Sequence, residues 1–221
     1  MTHDDFAVEE APGLAKKLPE GERILWQGAP QTWALAKSAL GVNWVIGYFG
    51  VLAIWRGIAM WFDQGLSGAI GAVVWYVLAG AAATAVIVLM SWVMARATIY
   101  TITSSRVVMR IGAALTVSLN LPLKWIVSAD LATNGSSTAD GTGSISLKLR
   151  GDTRFAYLVL WPHVRPWRMR SPEPTLRAIP GAARVAEILA HAASEETGAI
   201  ISPVVEEEAQ GSLPATAIPA E

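Results

Sequence analysis

The sequence predicts an α+β membrane protein: a two-helix transmembrane hairpin, then a cytoplasmic antiparallel β domain capped by a C-terminal helix. Three observations predict it. Two long apolar runs occupy residues 42–62 and 69–95. From residue 97 the apolar pattern changes from helical to alternating. A last amphipathic segment, 180–193, follows the alternating region.

The apolar block comes first. Of the 221 residues, 52% are hydrophobic and only 16% charged, too apolar for an ordinary soluble domain of this length. Each run, at about 1.5 Å per helical residue, is long enough to cross a hydrocarbon core of about 30 Å. The polar, glycine-containing DQGLSG, residues 63–68, separates them and predicts a short turn. Lys37 precedes the first run, and Arg96, Arg106 and Arg110 follow the second, while the turn carries only Asp63. The positive-inside rule then places both termini in the cytoplasm. Trp44, Trp61, Trp75 and Trp92 lie near the ends of the runs, where indoles favour the interface.

Charge divides the rest of the chain. Residues 1–41 carry four Lys or Arg against six acids, residues 95–193 twelve against five, and residues 194–221 six Glu and no base. This predicts an acidic, disordered head over 1–18, a leading strand and linker over 19–41, the hairpin over 42–95, a basic domain over 96–193 and a disordered acidic tail over 194–221. The chain has no cysteine, which excludes disulfide scaffolds, zinc ribbons, iron–sulfur clusters and cysteine nucleophiles.

Within the basic domain, ATIYTIT, RVVMRIG and ALTVSLN read as strands, the last two closing a tight hairpin at Gly112. Pro122 forces a break before a strand over 125–131, and NGSSTADGTG is a turn-rich loop. GSISLKLR and FAYLVLWP read as two more strands, giving about six in a small sheet or open barrel. Before the hairpin, ERILWQG between Pro19 and Pro30 reads as a strand that completes this sheet. In PGAARVAEILAHAA, Pro180 suits a helix start, and Val185, Ile188 and Leu189 form the stripe that caps the sheet.

Two segments in this order carry a resemblance: GERILWQGAP at 21–30, matching GExxLWxGxP, and YTITSSRV at 100–107, matching YxITxxRv. With the membrane hairpin between them, they resemble the bacterial pleckstrin-homology-like (PH-like) families of small membrane proteins. Within that group LVLWPHVRPWRMRSPEPTLRAIP, at 158–180, is similar to the photosynthetic-complex assembly proteins of purple bacteria. The resemblance covers roughly residues 18–193. It implies a non-catalytic assembly factor of the bacterial inner (intracytoplasmic) membrane. That factor binds reaction-centre subunits transiently, with light-harvesting 1 polypeptides as further clients, and uses no cofactor or metal. The competing reading is a membrane-anchored PH-like lipid-binding module without a specific protein client. An enzyme acting on lipid or pigment, a permanent subunit of the complex and a homodimer stay open. The basic domain is attributed to an anionic leaflet rather than to nucleic acid.

The candidate contact residues follow from composition. Trp161, His163, Arg165, Trp167, Arg168 and Arg170 crowd into ten residues with two prolines. Such a stiff loop fills the core, anchors a protein interface or meets lipid headgroups. Arg56 is the one ionisable residue well inside a span, and it either snorkels or meets a partner helix. No catalytic residue is expected: the three histidines are scattered, and there is no HExxH pattern or nucleophile elbow.

Overall fold

The computed structural model describes residues 18–112, 116–133, 141–150, 156–166, 168–169, 171–197 and 204–205. Residues 1–17 of the expected head, most of the tail, residues 134–140 of the turn-rich loop, Trp167 and Arg170 lie outside the described residues. The chain forms β1 (Ile24–Gly28), α1 (Thr32–Ser38) and the long helical element α2 (Val42–Ala97). Strands β2 (Ile99–Thr103), β3 (Arg106–Ile111) and β4 (Val117–Pro122) follow, then a 3-10 turn, Leu123–Trp125. The remainder is β5 (Ile126–Thr133), β6 (Gly143–Leu149), α3 (Tyr157–Leu160), β7 (Thr175–Ile179), α4 (Ala182–Thr197) and β8 (Val204–Val205).

Helix α2 is long and apolar enough to cross a membrane, and only 6% of its most apolar window is buried. A core helix of a soluble protein would be covered, so this one is built for an apolar surrounding. The expected DQGLSG turn is reduced to a single residue. Residues 63–68 stay helical, and the break is confined to Gly65, at φ 69° and ψ −159°. That conformation is open to glycine and closed to most side chains.

Across the break the arms touch. A Cβ on Gly57 would sit 2.8 Å from Val73 Cγ2, and one on Gly80 2.8 Å from Phe49 Cβ. In one straight helix, residues 49 and 80 would stand about 46 Å apart. The chain therefore doubles back at Gly65, and glycines let the arms approach closely.

The β domain consists of two four-stranded sheets. One runs β1–β2–β3–β4, antiparallel throughout; the other runs β7–β6–β5–β8, with β8 parallel to β5. Residues on both sides of α2 thus share one sheet, since Gln27 pairs with Thr101 and Gly28 with Tyr100. Alternation makes the core. Tyr100, Ile102, Val107, Met109 and Leu121 point inward from the first sheet, and Leu131, Ile145, Leu147 and Leu176 from the second. Val185 and Leu189 of α4 close the core together with Ala186 and Ala192, while Ile188 of the expected stripe is only half-buried.

Two expectations for this region are corrected, and one strand is added. FAYLVLWP contains the helical turn α3 rather than a strand, because its amides bond locally, Leu160 N–H to Ala156 O and Trp161 N–H to Tyr157 O. Strand β7 was unforeseen, lying between Pro174 and Pro180 and carrying an arginine. The expected unstructured tail is ordered at two places: α4 continues to Thr197, and Val204–Val205 pairs with Asp130 and Leu131.

Candidate functional site around the WPHVRPW loop

The two motifs that frame α2 meet in the first sheet. Arg106 donates from Nε to Glu22 Oε1 at 2.8 Å and from Nη2 to Glu22 Oε2. The Thr103 hydroxyl donates to the same carboxylate at 2.5 Å. The Glu22 side chain is only 4% exposed. The guanidinium holds the Glu22 pKa below the usual carboxylate range, and Glu22 raises that of Arg106 in return. The Trp-x-Gly spacing of the first motif is also explained. Trp26 and Gly28 share a strand face, and a Cβ on Gly28 would collide with the indole ring.

The WPHVRPW loop is extended, not free. Val164 forms a β-bridge with Pro174, Arg165 N–H donates to Glu173 O at 3.0 Å, and Thr175 N–H donates to His163 O at 3.0 Å. The prolines do not prevent pairing here, because their missing N–H groups are not the ones this ladder uses.

His163 is 2% exposed, and both ring nitrogens are engaged. The hydrogens can be assigned by elimination. Thr98 donates its hydroxyl to Met94 O at 2.8 Å, so it accepts from His163 Nε2–H at 3.2 Å. His163 Nδ1 then accepts from the Tyr100 hydroxyl at 2.5 Å, and Tyr100 accepts from Arg177 N–H at 3.3 Å. Burial, aided by the nearby Arg177 charge, pushes the His163 pKa down to about 4. Burial raises that of Tyr100. His163 is therefore a neutral polar strut that joins the end of α2 to β2 and β7.

The loop arginines face carboxylates. Arg165 Nη1 donates to Asp130 Oδ2 at 2.8 Å and to Glu173 Oε2 at 3.3 Å, and Arg168 Nη1 donates to Glu173 Oε1 at 3.1 Å. Glu173 is 6% exposed, so these charges fasten the loop to β5 and to the residues before β7. Trp161 and Met169 remain exposed, at 42% and 66%. The structure brings Trp161, His163, Arg165 and Arg168 together but not Arg56. Arg56 lies half-buried in α2, about 21 Å along the helix from Val42.

A cavity of about 270 Å³ borders the loop, lined by Tyr157, Trp161, Pro162, Val164, Met169 and Arg177 among others, with Ser38 and Ala39 opposite. Arg177 is 8% exposed and donates to Ser38 O at 3.1 Å. Its neighbour Ala178 has a positive φ of 52°, an uncommon conformation for a residue with a Cβ. That turn of the strand lets Ala178 O accept from Gln31 N–H at 2.8 Å, so β7 grips the start of α1. Sequence reasoning missed Arg177, Tyr100, Glu22 and Ser38. The available signal was a charge inside the β-branched and apolar TLRAI, and a Glu and an Arg at fixed places in the two motifs.

Comparison with known proteins agrees with this architecture. The bacterial PH domain family matches residues 40–193. An uncharacterized 23.7 kDa protein in the puhA 5′ region of Rhodobacter capsulatus is 44% identical over 194 residues, covering 87% of this chain and 89% of that protein. No solved structure matches the chain. With two β sheets closed by a C-terminal helix, and the match spanning α2 to α4, the chain belongs to the bacterial PH domain family.

Proposed function

We propose that this chain is a non-catalytic assembly factor for the photosynthetic reaction centre, of the PuhB type. The observation that carries the proposal is its 44% identity to a protein described by its place in the puhA 5′ region. That location supports a photosynthesis-related role. In this reading the arms of α2 cross the bacterial inner (intracytoplasmic) membrane twice, with Gly65 on the far side and the β domain in the cytoplasm. Exposed apolar surface on both arms meets lipid and the helices of unassembled subunits. Light-harvesting 1 polypeptides are the second class of client.

Binding rather than reaction is proposed because the loop's chemistry is already committed. His163 has both nitrogens engaged, and Arg165 and Arg168 hold Asp130 and Glu173. What the loop offers a partner is Trp161 and Met169, a large aromatic and an adaptable thioether beside fixed charges.

The test is deletion of the gene in a photosynthetically growing purple bacterium. The expected result is a lower reaction-centre level and slower accumulation after induction, restored by the intact chain. Unchanged level and rate would sink the proposal. The two-pass arrangement has its own test, made simple by the absence of native cysteine. A cysteine replacing Gln64 should react with an impermeant maleimide from the periplasm, and one replacing Lys124 should not.

A further inference from the structure

Arg165 and Arg168, which stand out in the sequence, are neutralised by acids, and Arg177, which does not stand out, is not. Arg177 is more than nine-tenths buried, and its side chain meets no carboxylate among the described residues. Its Nε and the Ser38 hydroxyl are both buried with no hydrogen-bond partner. A buried cation needs a compensating anion or several strong acceptors, and here one carbonyl, Ser38 O, is supplied. Burial accordingly lowers the pKa of Arg177.

Space adjoins this uncompensated charge. Arg177 and Ser38 both line the 270 Å³ cavity, whose other walls include Trp161, Pro162, Val164 and Met169. The cavity has a polar end and an apolar body. Ser38 also borders a second cavity of about 430 Å³, lined by Gln31, Trp33, Lys37 and Asn43 among others.

The position suits a membrane surface. Ser38 and Ala39 stand just before Val42, where the apolar helix begins. Trp33 is 49% exposed beneath Lys37 Nζ at 5.5 Å, Trp44 is 85% exposed, and Trp92 lies 5.5 Å from the Arg96 guanidinium. The Ser91 hydroxyl donates to Thr32 O at 2.7 Å, which ties α1 to the returning arm of α2. Indoles and cations gathered at one level of a helix pair mark the headgroup layer.

We propose that the cavity beside Arg177 is an anion site that takes the phosphate of a membrane-lipid headgroup. The phosphate neutralises Arg177 and accepts from its guanidinium and from the Ser38 hydroxyl after a small side-chain shift. The apolar walls take the adjoining glycerol and upper acyl carbons. The site rests on the membrane placement of α2 but needs no reaction-centre client, so it can fail while the assembly role stands.

The experiment uses the full chain in mild detergent, with native mass spectrometry of retained phosphatidylglycerol. Phosphatidylcholine and inorganic phosphate are run as separate arms. Arg177→Gln removes the charge, Ala39→Leu fills the cavity and leaves the charge, and Arg184→Gln, on the exposed face of α4, is the control. Folding is checked by circular dichroism and size exclusion. The expected result is one phosphatidylglycerol retained by the wild type. Its affinity should fall at least about tenfold in Arg177→Gln and in Ala39→Leu, and stay unchanged in Arg184→Gln. Competition by millimolar inorganic phosphate, with the same response to the variants, would keep the anion site but assign it to free phosphate. Equal retention by wild type and either folded cavity variant, or loss only in Arg184→Gln, would overturn the proposal.

Discussion

The two arms of α2 and the β domain satisfy their residues in opposite ways. The arms bury little of themselves: Phe62 is 83% exposed, Trp75 70% and Val51 67%, and their contact rests on glycines such as Gly57 and Gly80. The β domain hides Tyr100, Met109, Leu121 and Leu147 completely and gives buried polar groups such as His163 and Glu22 named partners, with Arg177 Nε an exception. The difference teaches where specificity resides. A lipid-facing side chain competes only with lipid, so one apolar residue substitutes for another at little cost. A buried charge or ring in the β domain has one geometry in which it is satisfied, so its sequence is fixed more tightly.

The largest expected effect breaks the β domain at its charge clamp. Arg106→Ala leaves the Glu22 carboxylate without its cation and with only the Thr103 hydroxyl as partner, which costs about 3 kcal/mol. Thermal melting of the detergent-solubilised chain should show a drop of about 10 °C, and an unchanged melting temperature would remove the clamp from the account.

His163 comes next. Its folded pKa of about 4 lies below the ordinary value of 6.5, so as pH falls the unfolded chain takes up the proton first. The neutral-histidine contribution is complete above pH 6.5 and is lost progressively as pH falls toward 4. It amounts to about 3 kcal/mol. His163→Ala should melt lower at pH 7.5 and show a flatter pH profile between 6.5 and 4; an equally steep profile would assign the loss to another group.

Gly28→Val displaces the Trp26 ring and should cost about 2 kcal/mol in the same melt. Arg168 is half-exposed toward Glu173, and Arg168→Ala should change stability by less than about 0.5 kcal/mol. The smallest effect belongs to the arms. Val86, 65% exposed, should tolerate Leu or Ala within about 0.5 kcal/mol, and a large loss there would mean that a protein surface rather than lipid covers it.

Much of the fold was legible because it is written in period. The apolar runs, the alternation after residue 97 and the Val185 and Leu189 part of the α4 stripe each carry a local signal that survives in the structure, while Ile188 stays half-buried outside the core. The strand before α2 was legible from its prolines and apolar content, and its partner from the shared side of the chain ends. What was not legible depended on distant partners. Strand β7 has no clean alternation, since all five of its residues are buried, one of them an arginine. FAYLVLWP has the composition of a strand, yet the turn at Trp161 ends it after one helical turn. The DQGLSG turn is shorter than expected because helical geometry tolerates its polar residues, leaving Gly65 alone to break the helix.

The candidate site was half visible. Loop composition drew attention to Trp161, His163, Arg165 and Arg168, which do come together. It could not show that Asp130 and Glu173 neutralise two of the arginines, or that Arg177 lies buried against Ser38 beside a cavity. Composition counts charges; only the fold shows which ones are compensated.

The central claim is that this protein binds reaction-centre subunits while they are being assembled. The most direct measurement is a mild-detergent pull-down of the tagged chain from membranes still synthesising photosystem, with mass spectrometry of the bound chains. The account predicts substoichiometric reaction-centre subunits, bound during synthesis and absent from the tagged chain once mature complexes have formed. Recovery of lipid alone, with no subunit enriched over an untagged control, would contradict it and leave a lipid-binding membrane module in its place.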